Sequence, residues 1–74
     1  MELDPLELFT VESVRAAVFS LPPVYREAVA LCDLREASYE EAAAILECAV
    51  GTVRSRLFRG RRLLCSKLKG MVRV

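Results

Sequence analysis

The chain has no histidine, which removes the commonest general base from any catalytic scheme. It has only three glycines, no glycine-rich phosphate loop and no nucleophile motif. Its three cysteines are an odd number without a CxxC pair, so a closed zinc site lacks its fourth ligand. The carboxylates fall where helix physics favours them, in first turns and on solvated faces. We therefore predict a protein that is not an enzyme and that holds no metal or cofactor.

Long hydrophobic runs are also missing. The longest stretch without a charged side chain, residues 16–25, is about half as long as a membrane-spanning helix and holds two prolines. The first ten positions carry acidic residues and no basic ones, the opposite of a secretory signal. With 74 residues, 54% apolar and 28% charged, the chain is predicted to form one small domain without a membrane segment. We expect a cytoplasmic location with reduced cysteines.

Helix-period patterns separated by breakers predict an all-α fold of four helices. These helices make up a domain at residues 10–74, after a leader at residues 1–9. Pro22 and Pro23 separate the first two helices, and Gly70 is the expected stop signal of the last. The predicted helices span residues 11–20, 23–33, 39–46 and 50–69.

Capping residues and apolar stripes fix the expected ends and core faces of these helices. Thr10 is a predicted N-cap of the first helix, and Ser38 with Glu41 predicts a capping box at the third. The expected core faces comprise Val11, Val14 and Val18; Val24, Ala28, Leu31 and Cys32; Ala42, Ala43, Ile45 and Leu46; and Val53, Leu57, Gly60, Leu64, Leu68 and Met71.

The third helix, a turn at residues 47–49 and the fourth helix together form a helix-turn-helix pattern. Ala43 is predicted to be small because the two helices cross closely there. Val53, ten residues later, is predicted to pack back onto the first helix of the pair, and Leu57 continues that packing one turn on. Other helical hairpins share this spacing, so the motif needs a second observation.

The distribution of charge provides that observation. All ten acidic residues lie within the first fifty positions with three arginines, a net charge of −7, whereas residues 51–74 carry eight cations and no acid, a net charge of +8. The two halves sum to the overall +1. A helix with this excess repels itself unless a polyanion screens it, which favours nucleic-acid binding. The alternative is a solvated basic helix balanced by the acidic body.

A helical wheel of the last helix separates its apolar seam from an opposite face with Gly51, Ser55, Phe58, Arg59 and Arg62. Phe58 either folds onto the edge of the core or contacts a thymine methyl in a major groove beside arginines that grip guanine. The first turns of a recognition helix reach bases, while later cations contact the backbone. The pattern favours a long recognition helix.

Three segments, LPPVYREA, SYEEAA and VGTVRSRLFRGRRLL, resemble region 4 of bacterial RNA polymerase sigma factors, most closely the extracytoplasmic-function group, over about residues 4–68. The resemblance implies docking on the polymerase β-flap and recognition of the promoter −35 element, a GGAAC-like sequence in this group. An anti-sigma factor is a further implied partner, on the apolar surface of the first two helices and the end of the last. Matching positions imply base reading by Arg54, Ser55, Phe58 and Arg59, and phosphate contact by Ser38, Tyr39, Thr52, Arg56 and Arg62.

Four positions depart from this family pattern. Glu36 and Glu47 stand where glycine is usual after a helix, and a left-handed conformation costs glutamate on the order of 1 kcal/mol more than glycine. Gly60 replaces a common alanine, which lowers the stability of the helix by up to about 1 kcal/mol. Ala49 replaces a proline or a capping serine. These departures predict a looser motif of the same kind.

Two alternative functions remain open at this stage. One is a protein-interaction module whose anti-sigma partner occludes the DNA and polymerase surfaces. The other is a different helix-turn-helix regulator that dimerises through Leu64, Leu68 and Met71. Sigma region 2 has no counterpart in the sequence, so we expect this chain alone not to initiate transcription, whether it is an excised domain or a stand-alone protein.

Overall fold

A computed structural model describes residues 10–71, so the leader predicted at residues 1–9 lies outside the described residues. Within the described part of the chain all regular structure is helical, which confirms the predicted all-α class with four helices. The elements are α1 (Val11–Phe19), α2 (Pro23–Val29), a π-helical turn (Ala30–Leu34), α3 (Tyr39–Leu46) and α4 (Val50–Met71).

Local capping fixes the starts of α1 and α2. The Thr10 hydroxyl accepts a hydrogen bond from the backbone N–H of Ser13 at 3.0 Å, which confirms the predicted N-cap. α2 begins at Pro23, where the missing N–H has no helical partner to lose. The second helix was predicted to continue to Asp33, but the α-helix ends at Val29 and Ala30–Leu34 form the π-helical turn. The Arg35 N–H donates to the Ala30 carbonyl at 3.0 Å across that turn.

The predicted bounds of α3 are confirmed, because both ends are fixed by local hydrogen bonds. At its start, Glu41 N–H donates to the Ser38 hydroxyl and Ser38 N–H donates to the Glu41 carboxylate, both at 3.0 Å. Hydrogen bonds from Ser38 to the Glu41 carboxylate lower the pKa of Glu41. The backbone N–H of Ser38 contributes most, and its side chain contributes less. At its end, Glu47 adopts the left-handed conformation (φ 54°) and Cys48 N–H donates to the Ala43 carbonyl at 3.0 Å.

The core lies where α4 crosses α2 and α3. Val18, Val29, Val53 and Leu57 are its largest fully buried side chains. Ala43 is also buried, so the three predicted motif-packing positions, Ala43, Val53 and Leu57, all lie in this cluster. A small residue at Ala43 lets α3 approach α4 closely, and the side of α4 away from this contact is exposed.

Gly60 has a packing role that sequence reasoning missed. A Cβ atom at this position would lie 2.8 Å from Cγ2 of Val29 and 3.2 Å from Cβ of Tyr25. Glycine therefore permits the close approach of α2 and α4. The expectation that Gly60 only weakens the helix is incomplete, because its lack of a side chain is what the α2–α4 contact requires.

Several core and boundary predictions are wrong. Ile45, expected on the core face of α3, is 62% exposed because it lies about 200° around the helix from buried Ala43. Val11, the first residue of α1, is exposed although it shares a helix face with buried Val18, and Val24 is exposed in the first turn of α2. Gly70 does not stop α4: it lacks the positive φ of a C-terminal cap, and the helix continues to Met71.

Candidate nucleic-acid interface

The outer face of α4 begins directly after the turn of the helix-turn-helix. The Ala49 carbonyl accepts from Thr52 N–H at 3.0 Å and Val53 N–H at 3.2 Å, so the backbone alone starts the helix. Ala49 has no side-chain oxygen with which to cap it. α4 then runs for 22 residues, about 33 Å at 1.5 Å per residue.

Ser55 marks the centre of this face. Residues of an α-helix are about 100° apart, which places Ser55 opposite the seam of buried Val53 and Leu57. Arg54 and Arg56 lie about 100° to either side of Ser55, so the two arginines straddle the face. The four residues predicted to read bases are all exposed and occupy the first three turns: Arg54, Ser55, Phe58 and Arg59.

Phe58 projects from this face into solvent. It is 64% exposed, which argues against the alternative that it folds onto the core edge. The guanidinium carbon of Arg62, one turn on, lies 5.8 Å from the centroid of the Phe58 ring. This cation–π contact holds an aromatic surface and a positive charge side by side.

The residues predicted to contact phosphate divide between the two flanks of the face. On one flank, half-buried Tyr39 lies under the guanidinium of Arg54, 5.8 Å from ring centroid to carbon, and both residues line a groove with Phe58 and Arg62. Ser38, exposed, precedes Tyr39 at the start of α3 and caps that helix. This flank therefore combines aromatic surface with several cations.

The other flank carries Thr52 and Arg56, which are four residues apart and both half-buried. Arg56 extends toward the turn, where its Nη1 donates to Cys48 Sγ at 3.9 Å. Arg59 lies between the flanks and lines a second recess with Tyr25 and Arg62. The structure thus brings Tyr39, Arg54, Phe58 and Arg62 together, but it places Arg56 apart from them.

The cations of α4 have little internal compensation. Within residues 10–71 a single ion pair is present, in which Arg61 binds both carboxylate oxygens of Asp33. These hydrogen bonds raise the pKa of Arg61, which stays charged. Sequence reasoning missed this pair because its members are 28 residues apart and no local pattern joins them. No other cation of α4 has an anionic partner among residues 10–71.

A second, apolar surface lies away from α4. Phe19, Leu34 and Ile45 are exposed and line a groove of about 770 Å³ between α1, α2, the π-helical turn and α3, and the charged residues Arg15, Glu27 and Arg35 line it as well. No residue of α4 lines this groove. The predicted partner surface was assigned to the first two helices and the end of the last. That location stays a prediction; the groove shares α1 and α2 with it and is completed by α3.

A helix-turn-helix with a long, uncompensated basic second helix defines the class of DNA-binding helix-turn-helix domains. The family model described as "Sigma-70, region 4" matches residues 12–64, so the chain belongs to that family. None of the helices in the described part of the chain has the length and apolar character needed to cross a bilayer.

The chain is similar to the ECF RNA polymerase sigma-E factor of Escherichia coli (strain K12), with 45% identity over 74 aligned residues that cover 95% of this chain. The same figures hold for the sigma-E factor of Salmonella typhi. The ECF RNA polymerase sigma factor SigE of Mycolicibacterium smegmatis is 55% identical over 51 residues, 69% of this chain. The chain spans 39% of the length of the two sigma-E factors and 20% of SigE.

Proposed function

We propose that this domain binds the promoter −35 element in a sequence-specific manner, as region 4 of an extracytoplasmic-function sigma factor that directs RNA polymerase in the bacterial cytoplasm. The observation that carries the proposal is the outer face of α4, where Arg54, Ser55, Phe58 and Arg59 are exposed together opposite the buried seam. Its role is recognition without catalysis, metal or cofactor.

The geometry of this face supports separate roles in a major groove, in which some residues contact bases and others contact phosphates. Arg54 and Arg59 have the forked donors that suit guanine O6 and N7, and Phe58 offers apolar contact to a thymine methyl. Phosphates on either side of the groove bind the flanking residues and fix the register of the helix. The proposed phosphate-binding residues are Ser38, Tyr39, Thr52, Arg56 and Arg62.

Replacing Arg59 with alanine tests the base-reading assignment. We expect Arg59→Ala to weaken binding to a −35 duplex and to relax discrimination at one base pair by roughly 1–3 kcal/mol, because a forked donor to one base edge is lost. Fluorescence anisotropy on a set of singly substituted duplexes measures this ranking.

Lys67→Ala is the matched control for Arg59→Ala. Lys67 is an exposed cation near the end of α4, so its loss is expected to weaken all duplexes equally. An unchanged ranking of the substituted duplexes in Arg59→Ala would show that Arg59 does not read a base.

The apolar groove supports a second part of the proposal, docking of the RNA polymerase β-flap. Phe19 and Ile45 are 67% and 62% exposed, and such contiguous apolar surface is typical of a protein interface. We expect Ile45→Glu to weaken binding of the isolated β-flap domain by tenfold or more in isothermal titration calorimetry. Val11→Glu, an equally exposed position outside the groove, is the control, and equal loss in both variants would contradict the docking site.

The same groove favours an alternative function, capture by an anti-sigma factor. A pull-down distinguishes an anti-sigma factor that covers α4 from one that binds the groove alone. The chain is immobilised through its N-terminus and exposed to a lysate of the source bacterium, with and without a −35 duplex. Release of the captured protein by DNA indicates occlusion of α4. Capture that persists with DNA and is lost in Ile45→Glu places the partner in the groove alone.

A further inference from the structure

The single ion pair within residues 10–71 joins α4 to the π-helical turn. Arg61 Nε donates to Asp33 Oδ2 at 3.0 Å, and Arg61 Nη2 donates to Asp33 Oδ1 at 2.7 Å. Both bonds are short, and the pair is bidentate, the geometry in which an arginine matches a carboxylate best. Because the side chains are 46% and 30% exposed, both groups remain accessible to solvent and ions.

Arg61 lies on the flank of α4 that is proposed to meet DNA. It is seven residues from Arg54, nearly two helical turns, so both arginines fall on one stripe. Arg61 also lines the groove that holds Tyr39, Phe58 and Arg62. Its position therefore matches that of a phosphate-binding residue, but two of its five N–H donors, those on the Nε/Nη2 edge, are already engaged by Asp33.

A carboxylate and a phosphate compete for the same guanidinium fork. Each presents two oxygens at a spacing that accepts parallel N–H donors. Asp33 belongs to the π-helical turn, and such turns are frequent at functional positions because they redirect the side chains that they carry. The turn places the carboxylate of Asp33 against α4.

We infer that Asp33 is an intramolecular competitor of DNA for Arg61. Its carboxylate occupies the fork that would grip a phosphate, so Arg61 positions α4 against the π-helical turn and contributes no counterion release when DNA binds. The inference rests on the proposed function, since it concerns DNA binding by α4. It distinguishes Arg61 from the neighbouring Arg62, which has no anionic partner within residues 10–71.

The salt dependence of DNA binding measures this difference. Each phosphate neutralised adds about 0.9 to the slope of log affinity against log salt concentration, which is about 3.5-fold in affinity per contact between 50 and 200 mM salt. We expect Arg61→Gln to keep the wild-type slope and Arg62→Gln to lower it by about 0.9. Asp33→Asn is expected to raise the slope by about 0.9, because Arg61 is released to a phosphate.

Three further variants isolate the competition from net charge and from folding. Glu12→Gln removes an exposed carboxylate of α1 that is not paired with Arg61, and it is expected to keep the wild-type slope. Asp33→Glu keeps the carboxylate and is expected to keep the wild-type slope. In Asp33→Asn/Arg61→Gln the rise is expected to vanish, since no arginine is released. Circular dichroism sets the working temperature at which every variant has wild-type helix content.

The experiment is fluorescence anisotropy on one −35 duplex over that salt range. A fall of the slope in Arg61→Gln equal to that in Arg62→Gln would overturn the inference, because Arg61 would then be a phosphate contact. A rise in Asp33→Asn that persists in the double variant, or an equal rise in Glu12→Gln, would also overturn it, because the rise would not come from the release of Arg61. Loss of salt dependence in the wild type itself would overturn the proposed function, and this inference with it.

Discussion

Phe19 and Phe58 are exposed to nearly the same extent, 67% and 64%, but they lie on surfaces of opposite character. Phe58 projects from a basic helix and carries the guanidinium of Arg62 against its ring. Phe19 lines an apolar groove beside Leu34 and Ile45. The comparison teaches that the neighbours of an exposed aromatic side chain, more than its exposure, indicate the kind of partner that the surface binds.

The largest expected effect on binding comes from placing a glutamate on one or the other of these two surfaces. Phe58→Glu places a carboxylate among phosphates and removes an apolar contact to a base, so we expect roughly a 100-fold loss of −35 affinity. Phe19→Glu is expected to leave DNA affinity within twofold and to abolish β-flap binding. Anisotropy with the duplex and calorimetry with the flap domain, applied to both variants, measure the two effects.

That pair of variants is its own control, because each carries the same substitution on a different surface. Comparable losses of DNA affinity in both would show that the two surfaces are not functionally distinct. Helix content by circular dichroism confirms that both variants are folded.

The next largest effect concerns the packing of α2 against α4 at Gly60. Gly60→Ala forces a Cβ to within 2.8 Å of Val29. The strain of overpacking, about 1–3 kcal/mol, exceeds the gain in helix propensity of about 1 kcal/mol. We expect the melting temperature to fall by several degrees in thermal circular dichroism.

Gly70→Ala is the matched control for Gly60→Ala. A Cβ at Gly70 meets no atom within 4 Å, so only the propensity gain applies, and the melting temperature is expected to rise or stay unchanged. A rise of similar size in both variants would show that the α2–α4 contact at Gly60 is not tight.

Which features of the fold and of the candidate site are predictable from sequence depends on how far apart in the chain the interacting residues are. Thr10, Ser38 and Glu41 cap helices through partners three residues away, so the starts of α1 and α3 follow from local patterns. The basic character of α4 also follows from sequence, because the charges are consecutive along the chain. The predicted base-reading residues lie on one exposed face of α4, and their contact with DNA stays a prediction.

The remaining features depend on contacts between distant segments. The role of Gly60 requires Val29 and Tyr25 of α2, and the pairing of Arg61 requires Asp33 of the π-helical turn. Neither relation leaves a periodic signal. The error at Ile45 has a different origin: α3 has only eight residues, too few for apolar periodicity to separate its buried side from its exposed side.

The smallest expected effect is a pH dependence of stability that arises at the capped start of α3. The pKa of Glu41 is lowered by its hydrogen bonds with Ser38. A carboxylate with a lowered folded-state pKa stabilises the fold above its ordinary value of 4.5, and this contribution is lost as the pH falls through the folded-state value. Urea denaturation between pH 6 and pH 3 measures the loss.

Glu41→Gln keeps a side-chain partner for the Ser38 N–H and removes the titrating group. We expect the variant to lose less stability than the wild type over this pH interval. An identical pH dependence in the two proteins would assign the acid sensitivity to other carboxylates.

The central claim is that the outer face of α4, and not the apolar groove, is the DNA-binding surface. Two-dimensional NMR of the labelled chain, titrated with a −35 duplex, tests it most directly. We expect the largest amide shifts at Arg54, Ser55, Phe58 and Arg59 and no shifts at Phe19, Leu34 and Ile45. Shifts concentrated at those three groove residues, with α4 unperturbed, would contradict it.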